Sequence, residues 1–149
     1  MTELTVNLNK TINASIEKVF NAWLDAETLS RFMKPLPGMP DVRAEIDGRV
    51  GGRFTIYMQV DDRKILHHGE FLEVNPYTKL VFTWVSPFST DGSTVSICFE
   101  ALGDDRTRID LRHVKFKGEE ERVSHELGWS NVLKELSAMT VTPEVQRAS

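Results

Sequence analysis

From Asp41 to about Val114 apolar and polar residues alternate with a period of two. Turn-forming groups break the alternation at Asp47-Gly48, Gly51-Gly52, Asp61-Asp62, Asn75-Pro76, Asp91-Gly92 and Gly103-Asp104-Asp105. A strand points successive side chains to opposite faces, and Gly, Asn, Asp and Pro supply the backbone angles of tight reversals. The segment therefore predicts six strands in hairpin order, antiparallel and oily on one side. Parity assigns Phe54, Ile56 and Met58 to the inner face, then Leu66, His68, Glu70 and Leu72, then Leu80, Phe82 and Trp84. Val95, Ile97 and Phe99 follow on the same face, and after them Ile109, Leu111 and His113. The outer face receives Arg53, Thr55, Tyr57, Gln59, Lys79, Thr83, Arg106, Arg108, Asp110 and Arg112.

Both flanks carry further elements. Residues 3–12 alternate around Leu4, Val6 and Leu8 and predict one more strand, for seven in all. Asn13-Ala14-Ser15 offers a capping side chain before IEKVFNAWL, whose Ile16, Val19, Phe20, Trp23 and Leu24 recur at helical spacing. Asp25 can cap a second short helix, AETLSRFM, which must stop near Lys34 because Pro35, Pro37 and Pro40 cannot continue it. Beyond Gly118, Glu119, Glu120 and Glu121 suit the positive end of a helix dipole. Val123, Leu127, Val132, Leu133, Leu136 and Met139 then supply the apolar stripe of one long helix. Pro143 ends it, and residues 141–149 are expected to fray.

The covering of the sheet is the functional clue. A helix of roughly twenty residues is only ~30 Å long and ~10 Å wide, too little to blanket seven strands. If the sheet curls around the helix, its concave face is shared between helix contacts and a leftover apolar cavity, where small molecules usually bind. The expected fold class is therefore α+β, a curved seven-stranded antiparallel sheet with two short N-terminal helices gripping one long C-terminal helix. Its 149 residues suit one domain, 1–149, with one core.

Composition narrows the partners. Eighteen Lys and Arg against 22 Asp and Glu leave a formal charge of −4, and no basic run could follow a phosphate backbone, so nucleic acid is not expected. Cys98 is the only cysteine, which excludes an internal disulfide and a cysteine-rich metal site and matches a reducing compartment, the cytoplasm. MTELTVNLNKTINA lacks the pattern of a signal peptide, and nowhere do eighteen apolar residues run together, so no membrane span is expected. Four histidines without a ligand spacing give no metal expectation, and no cofactor motif is present. The glycines of GRVGG at 48–52 lack the Walker residues of a phosphate loop and read as a hairpin turn. Cys98 faces away from the cavity by parity and no GxSxG occurs, so hydrolase chemistry has no support.

The order of elements resembles the START-like, birch-pollen-allergen-like helix-grip superfamily (SRPBCC). Within it, VFNAWLDAETLSRFM, IDGRVGGRFTIYM, HHGEFLEVNPYTKLVFTW and HELGWSNVLKEL resemble the family of activators of heat-shock protein 90 ATPase. The resemblance spans nearly the whole chain. It implies the helix-grip fold, a small apolar or aromatic ligand between sheet and C-terminal helix, and a stress-response or chaperone ATPase partner as an alternative. Full-length chaperone activators carry an additional N-terminal domain, and this chain is expected to lack one. A homodimer through an edge strand or the proline-rich loop is also compatible with the sequence.

Within the expected cavity the candidate ligand contacts are Trp23 and Phe32 from the first two helices, Phe54, Ile56, Met58, Phe82, Trp84, Ile97, Phe99 and Leu111 from the strands, and Trp129 and Leu133 from the long helix. His68, Glu70 and His113 would choose polar substituents. A carboxylate buried there has its charged form disfavoured, and Glu70 with His68 or His113 could serve as the acid and base of a cyclase-like or hydratase-like enzyme. The plainer reading makes Glu70 a hydrogen-bond acceptor near the mouth, and the chain a binding protein rather than an enzyme. His125 and Trp129, four apart, stack on one side of the helix, with Gly128 marking close approach to the sheet, and ordinary packing accounts for both. Trp23, Phe32, Met33 and Phe88 could gate the open end, although each is also an ordinary core residue type.

Overall fold

The computed structural model describes residues 4–60, 62–87 and 92–139. Asp61, Phe88, Asp91, Pro143 and the tail expected to fray lie outside them. Ten elements follow one another: β1 (Thr5–Ile12), α1 (Ile16–Ala22), α2 (Ala26–Phe32), β2 (Arg43–Ile46), β3 (Arg53–Val60), β4 (Arg63–Asn75), β5 (Lys79–Thr83), β6 (Thr94–Gly103), β7 (Arg106–Val114) and α3 (Glu119–Met139). The strands make one antiparallel sheet in the order β1-β7-β6-β5-β4-β3-β2. The six hairpin-ordered strands form as expected, and the first strand closes onto the last, Leu8 opposite Leu111. This is the curved helix-grip sheet that the alternation implies.

Local chemistry starts and stops the helices. Ser15 Oγ accepts from the backbone N–H of Lys18 at 3.3 Å, and Asp25 Oδ2 accepts from that of Thr28 at 3.1 Å, each satisfying an N–H that the first turn leaves free. Trp23 caps α1, and α2 ends at Met33 ahead of the three prolines.

The concave face holds the core. Phe54, Ile56, Met58, Leu80, Phe82, Trp84, Val95, Ile97, Phe99, Ile109, Leu111 and His113 are all at most 6% exposed, as parity assigns them. Trp129, Val132, Leu133 and Leu136 of α3 and Phe20, Trp23, Leu29 and Phe32 of the short helices close over them. The long helix lies against β1 and α2, while α2 rests on β2, so the helical layer straddles the sheet rather than covering it evenly.

One strand departs from expectation. In β4 the inward residues are His67, Gly69 and Phe71, whereas Leu66 and Leu72 are 40% and 48% exposed and His68 is exposed. His68 and Glu70 therefore do not face the interior, because the apolar letters Leu66 and Leu72 mark the wrong face. Gly69 is the physical reason. A Cβ there would stand 2.0 Å from the Thr83 carbonyl oxygen and 2.8 Å from the Phe54 ring, so only glycine lets β4 pass between them. A register shift between Phe71 and Glu73 then changes the parity that serves the end of the strand. The stripe of α3 is also narrower than expected, with Val123 at 40% and Leu127 at 67% exposed. Gly128 makes its close approach to Pro35 of the loop, whose Cβ would be 3.1 Å from an added methyl, and not to the sheet.

Gly69→Ala is expected to lower stability by about 3 kcal/mol or more, since the clash is with backbone and with a packed ring. Urea unfolding measures it, and an unchanged midpoint would show that β4 can move aside.

Candidate functional site

Between the N-terminal half of α3, the loop after α2 and the β3–β4 hairpin lies a cleft of about 420 Å³. Met58 of β3, Ile65 and His67 of β4 and Trp84 after β5 form its floor. Met33, Pro35 and Leu36 form one wall, and His125, Gly128, Trp129 and Val132 of α3 the other. Glu120, Glu121, Ser124 and Leu127 stand on α3 at the edge of the cleft. Gly128 makes room for the proline loop to approach α3. That loop is held by Asn131, whose Nδ2 donates to the Lys34 carbonyl at 2.7 Å, and by the Lys34–Asp41 ion pair at 2.6 Å. The floor and walls are mostly apolar and aromatic, as small-molecule sites generally are.

The deep interior is filled. Trp23, Phe54, Ile56, Phe82 and Trp84 border a void of only about 20 Å³, room for about one water. Phe32, Ile97, Phe99, Leu111 and Leu133 are packed in the core, and Trp23 and Phe32 meet edge to face at 5.0 Å. Of the residues expected to contact a ligand, Met58, Trp84 and Trp129 line the cleft. Of the residues considered for a gate, Met33 lines it. His68 and Glu70 sit on the far side of the sheet, which removes the geometry for Glu70 to share a proton with a histidine inside. Sequence reasoning missed His67, Ile65, Pro35 and Leu36. The glycine two residues beyond His67 carried the signal, since a glycine inside a strand marks close approach and hence the inner face.

Three imidazoles surround the indoles of the cleft. His113 is fully buried behind Trp129, whose Nε1–H donates to His113 Nδ1 at 3.0 Å. An indole N–H can only donate, so Nδ1 bears the lone pair and the proton resides on Nε2, which donates to Ser93 Oγ at 2.7 Å. His125 donates from Nδ1 to the Glu121 carbonyl at 2.8 Å. The His113 ring packs 4.5 Å from Phe116 and 5.2 Å from His125, and the Trp84 ring packs 4.9 Å from Trp129 and 5.1 Å from His67. His67 Nδ1 and Trp84 Nε1, both on rings of the cleft floor, have no hydrogen-bond partner, and neither has Trp23 Nε1. A buried polar atom without a partner costs about 1–3 kcal/mol. Among the described residues, no three His, Cys, Asp or Glu side chains are grouped so as to hold a metal ion.

Burial keeps the rings neutral. Removal from water, reinforced by the charge His125 would bear, pushes His67 down to about 4 against an opposing hydrogen bond with the Ile65 backbone, and pushes His113 to about 3. Burial lowers His125 too, against the opposing pull of the Glu121 carbonyl and charge. The unfolded chain, with histidine near 6.5, thus takes up more protons than the folded one in acid. The stability from His67 and His113 is present above pH 6.5 and lost as the pH falls from there toward 4 and 3. Urea unfolding at pH 7 and pH 5 should show a loss of about 2 kcal/mol from each ring, and equal stabilities would refute their neutral burial. Ser93→Ala strands the His113 Nε2–H and should cost about 1–3 kcal/mol at pH 7, read in the same assay.

Comparison with known proteins places this geometry. By sequence, no curated protein matches the chain. A protein from Chromobacterium violaceum superposes with a TM-score of 0.76 at 22% identity, over 91% of this chain and 96% of that one. The AHSA1-like protein from Aeromonas hydrophila gives 0.76 at 22% identity, over 90% of each chain. An HSP90 activator from Plasmodium falciparum gives 0.73 at 25% identity, over 91% of this chain and 95% of that one. The sequence model for activator of Hsp90 ATPase homolog 1-like proteins matches residues 13–140, and the chain belongs to that family.

Proposed function

We propose that this protein is a binding module that takes up a small, largely apolar or aromatic molecule in the cleft between α3, the proline loop and the β3–β4 hairpin. The observation that carries the reading is the cleft itself: about 420 Å³ beside a filled core, within the range of small-molecule sites. Its floor and walls are set with indole, imidazole and thioether groups. Leu36 and Leu127, 49% and 67% exposed, line the same cleft and give an apolar solute a surface to meet first. The site would operate in a reducing compartment such as the cytoplasm, where the exposed thiol of Cys98 stays reduced.

The proton chemistry favours binding over catalysis. A general base works best with a pKa near the operating pH. His67 and His113 lie far below neutrality, and both nitrogens of His113 are engaged.

A second reading rests on the likeness to the Plasmodium HSP90 activator. In it, the exposed apolar residues beside the cleft contact a chaperone ATPase. Stimulation of the ATPase of a purified HSP90 by the full chain would favour it.

The uncharged probe N-phenyl-1-naphthylamine separates the two. The protein should bind it with a rise in fluorescence, and Ser124→Trp, which places a large ring in the cleft from an exposed helix position, should weaken binding tenfold or more. Far-UV circular dichroism should stay unchanged. Binding unaffected by Ser124→Trp would overturn the cleft as the site.

A further inference from the structure

The first turn of α3 carries three carboxylates, Glu119, Glu120 and Glu121, and only the first is answered by a cation within the protein. Arg122 forms ion pairs with Glu119 and, at 3.0 Å, with Glu126. Residues three and four apart share one side of a helix, so this pairing uses up the arginine along the Glu119–Arg122–Glu126 side. Glu120 and Glu121 instead border the cleft with Ser124 and Leu127, and among the described residues neither makes an ion pair.

No cation of the surroundings replaces the missing partner. Glu120 and Glu121 are the only charged residues of the cleft lining. Lys34, between the wall residues Met33 and Pro35, is bound to Asp41 at 2.6 Å. Arg63, two residues before Ile65 on β4, is exposed and pairs with neither glutamate. The imidazoles of the lining, His67 and His125, are held toward the neutral form by burial. The helix terminus offers roughly half a positive charge, less than the two carboxylates carry. The part of the cleft that solvent reaches is otherwise apolar: Leu36 and Leu127 are 49% and 67% exposed, and Pro35 and Ile65 are half-buried.

We propose that the cleft prefers organic cations, an ammonium group on a small aromatic or branched apolar body. The body lies against Pro35, Leu36, Ile65 and Leu127, and the ammonium stays hydrated at the rim beside Glu120 and Glu121. This rests on the binding reading above and names the ligand class for the same site. A neutral molecule of the same shape gains the apolar contacts alone. A carboxylate meets like charge at the rim and no cation within the lining. Because Glu120 is exposed and Glu121 only half-buried, the charge preference is modest and sensitive to salt.

Three probes of nearly one shape test this on the full chain at pH 7.5: 2-naphthylmethylammonium, 2-naphthylmethanol and 2-naphthoate, titrated by two-dimensional NMR of the backbone amides. At low salt the ammonium should bind about threefold or more tighter than the alcohol, with the carboxylate weakest, and the Glu121, Ser124 and Gly128 amides should shift. In about 1 M salt, where the screening length falls to about 3 Å, the advantage should largely vanish. The double variant Glu120→Gln with Glu121→Gln keeps side-chain shape and should erase the advantage, leaving the alcohol within about twofold of its wild-type affinity. A role confined to the helix terminus would lower the melting temperature without changing the ratio of the two affinities. Glu17→Gln with Glu100→Gln, which removes two exposed carboxylates that do not line the cleft, should preserve the advantage. Its loss in that control, or its persistence in the cleft variant, would overturn the assignment to Glu120 and Glu121. The alcohol or the carboxylate binding as tightly as the ammonium in the wild type would overturn the charge preference and leave the binding reading intact. Failure of all three to bind would overturn both.

Discussion

The mismatch between a seven-stranded sheet and a single long helix governs the rest of this structure. The helix α3 commits its apolar side to β1 and α2, and α1 and α2 bring Phe20, Trp23, Leu29 and Phe32 down onto the sheet. Aromatic rings at 5–6 Å fill the depth of the concave face, for example Phe54 against Phe82 at 5.4 Å and Phe20 against Phe99 at 5.1 Å. What cannot be covered is the strip beside α3, over the β3–β4 hairpin. The chain bridges it with a proline loop rather than another helix. A loop without a regular apolar face closes a gap incompletely, and the cleft is the remainder.

That origin explains why the polar groups gather there. Inside a packed core each buried polar atom needs a partner, and His113 obtains two, from Trp129 and Ser93, which fix one tautomer and one ring orientation. Thr107 similarly donates to the Ala14 carbonyl at 2.9 Å. Three rings escape this pairing, those of His67, Trp84 and, in the core itself, Trp23.

Most of the architecture was legible from period alone. The alternation at residues 94–100 and 106–114 puts Val95, Ile97, Phe99, Ile109 and Leu111 inward, since these five share one parity and Thr94, Ser96, Glu100, Arg108, Asp110 and Arg112 stand between and beside them. Caps at Ser15 and Asp25 and the prolines bounded the short helices for equally local reasons. The strand β4 was not legible in this way. In ILHHGEFLEV the large aliphatics fall on both parities, and hydrophobicity then votes for the face with Leu66 and Leu72, although the inner face holds an imidazole and a glycine. The deciding fact was steric, the approach of Thr83 and Phe54 to Gly69, and it depends on partners thirteen or more residues away. The cleft was foreseeable only as surplus area. Its location depends on which side of the sheet the helix leans toward, and α3 carries no sequence signal for that.

The slipped strand also changes what chemistry the fold supports. With His68 and Glu70 inward, the interior would hold a carboxylate and imidazole side by side, a pair able to pass a proton. With His67 and Gly69 inward, the same strand offers one imidazole and a backbone packed against Thr83 and Phe54, and the carboxylate goes to the other face. The glycine that forces this choice leaves no side chain between His67 and Phe71 on the concave surface, and the Phe54 ring packs there instead. One residue without a Cβ thus sets the parity of the strand and removes the acid–base pair.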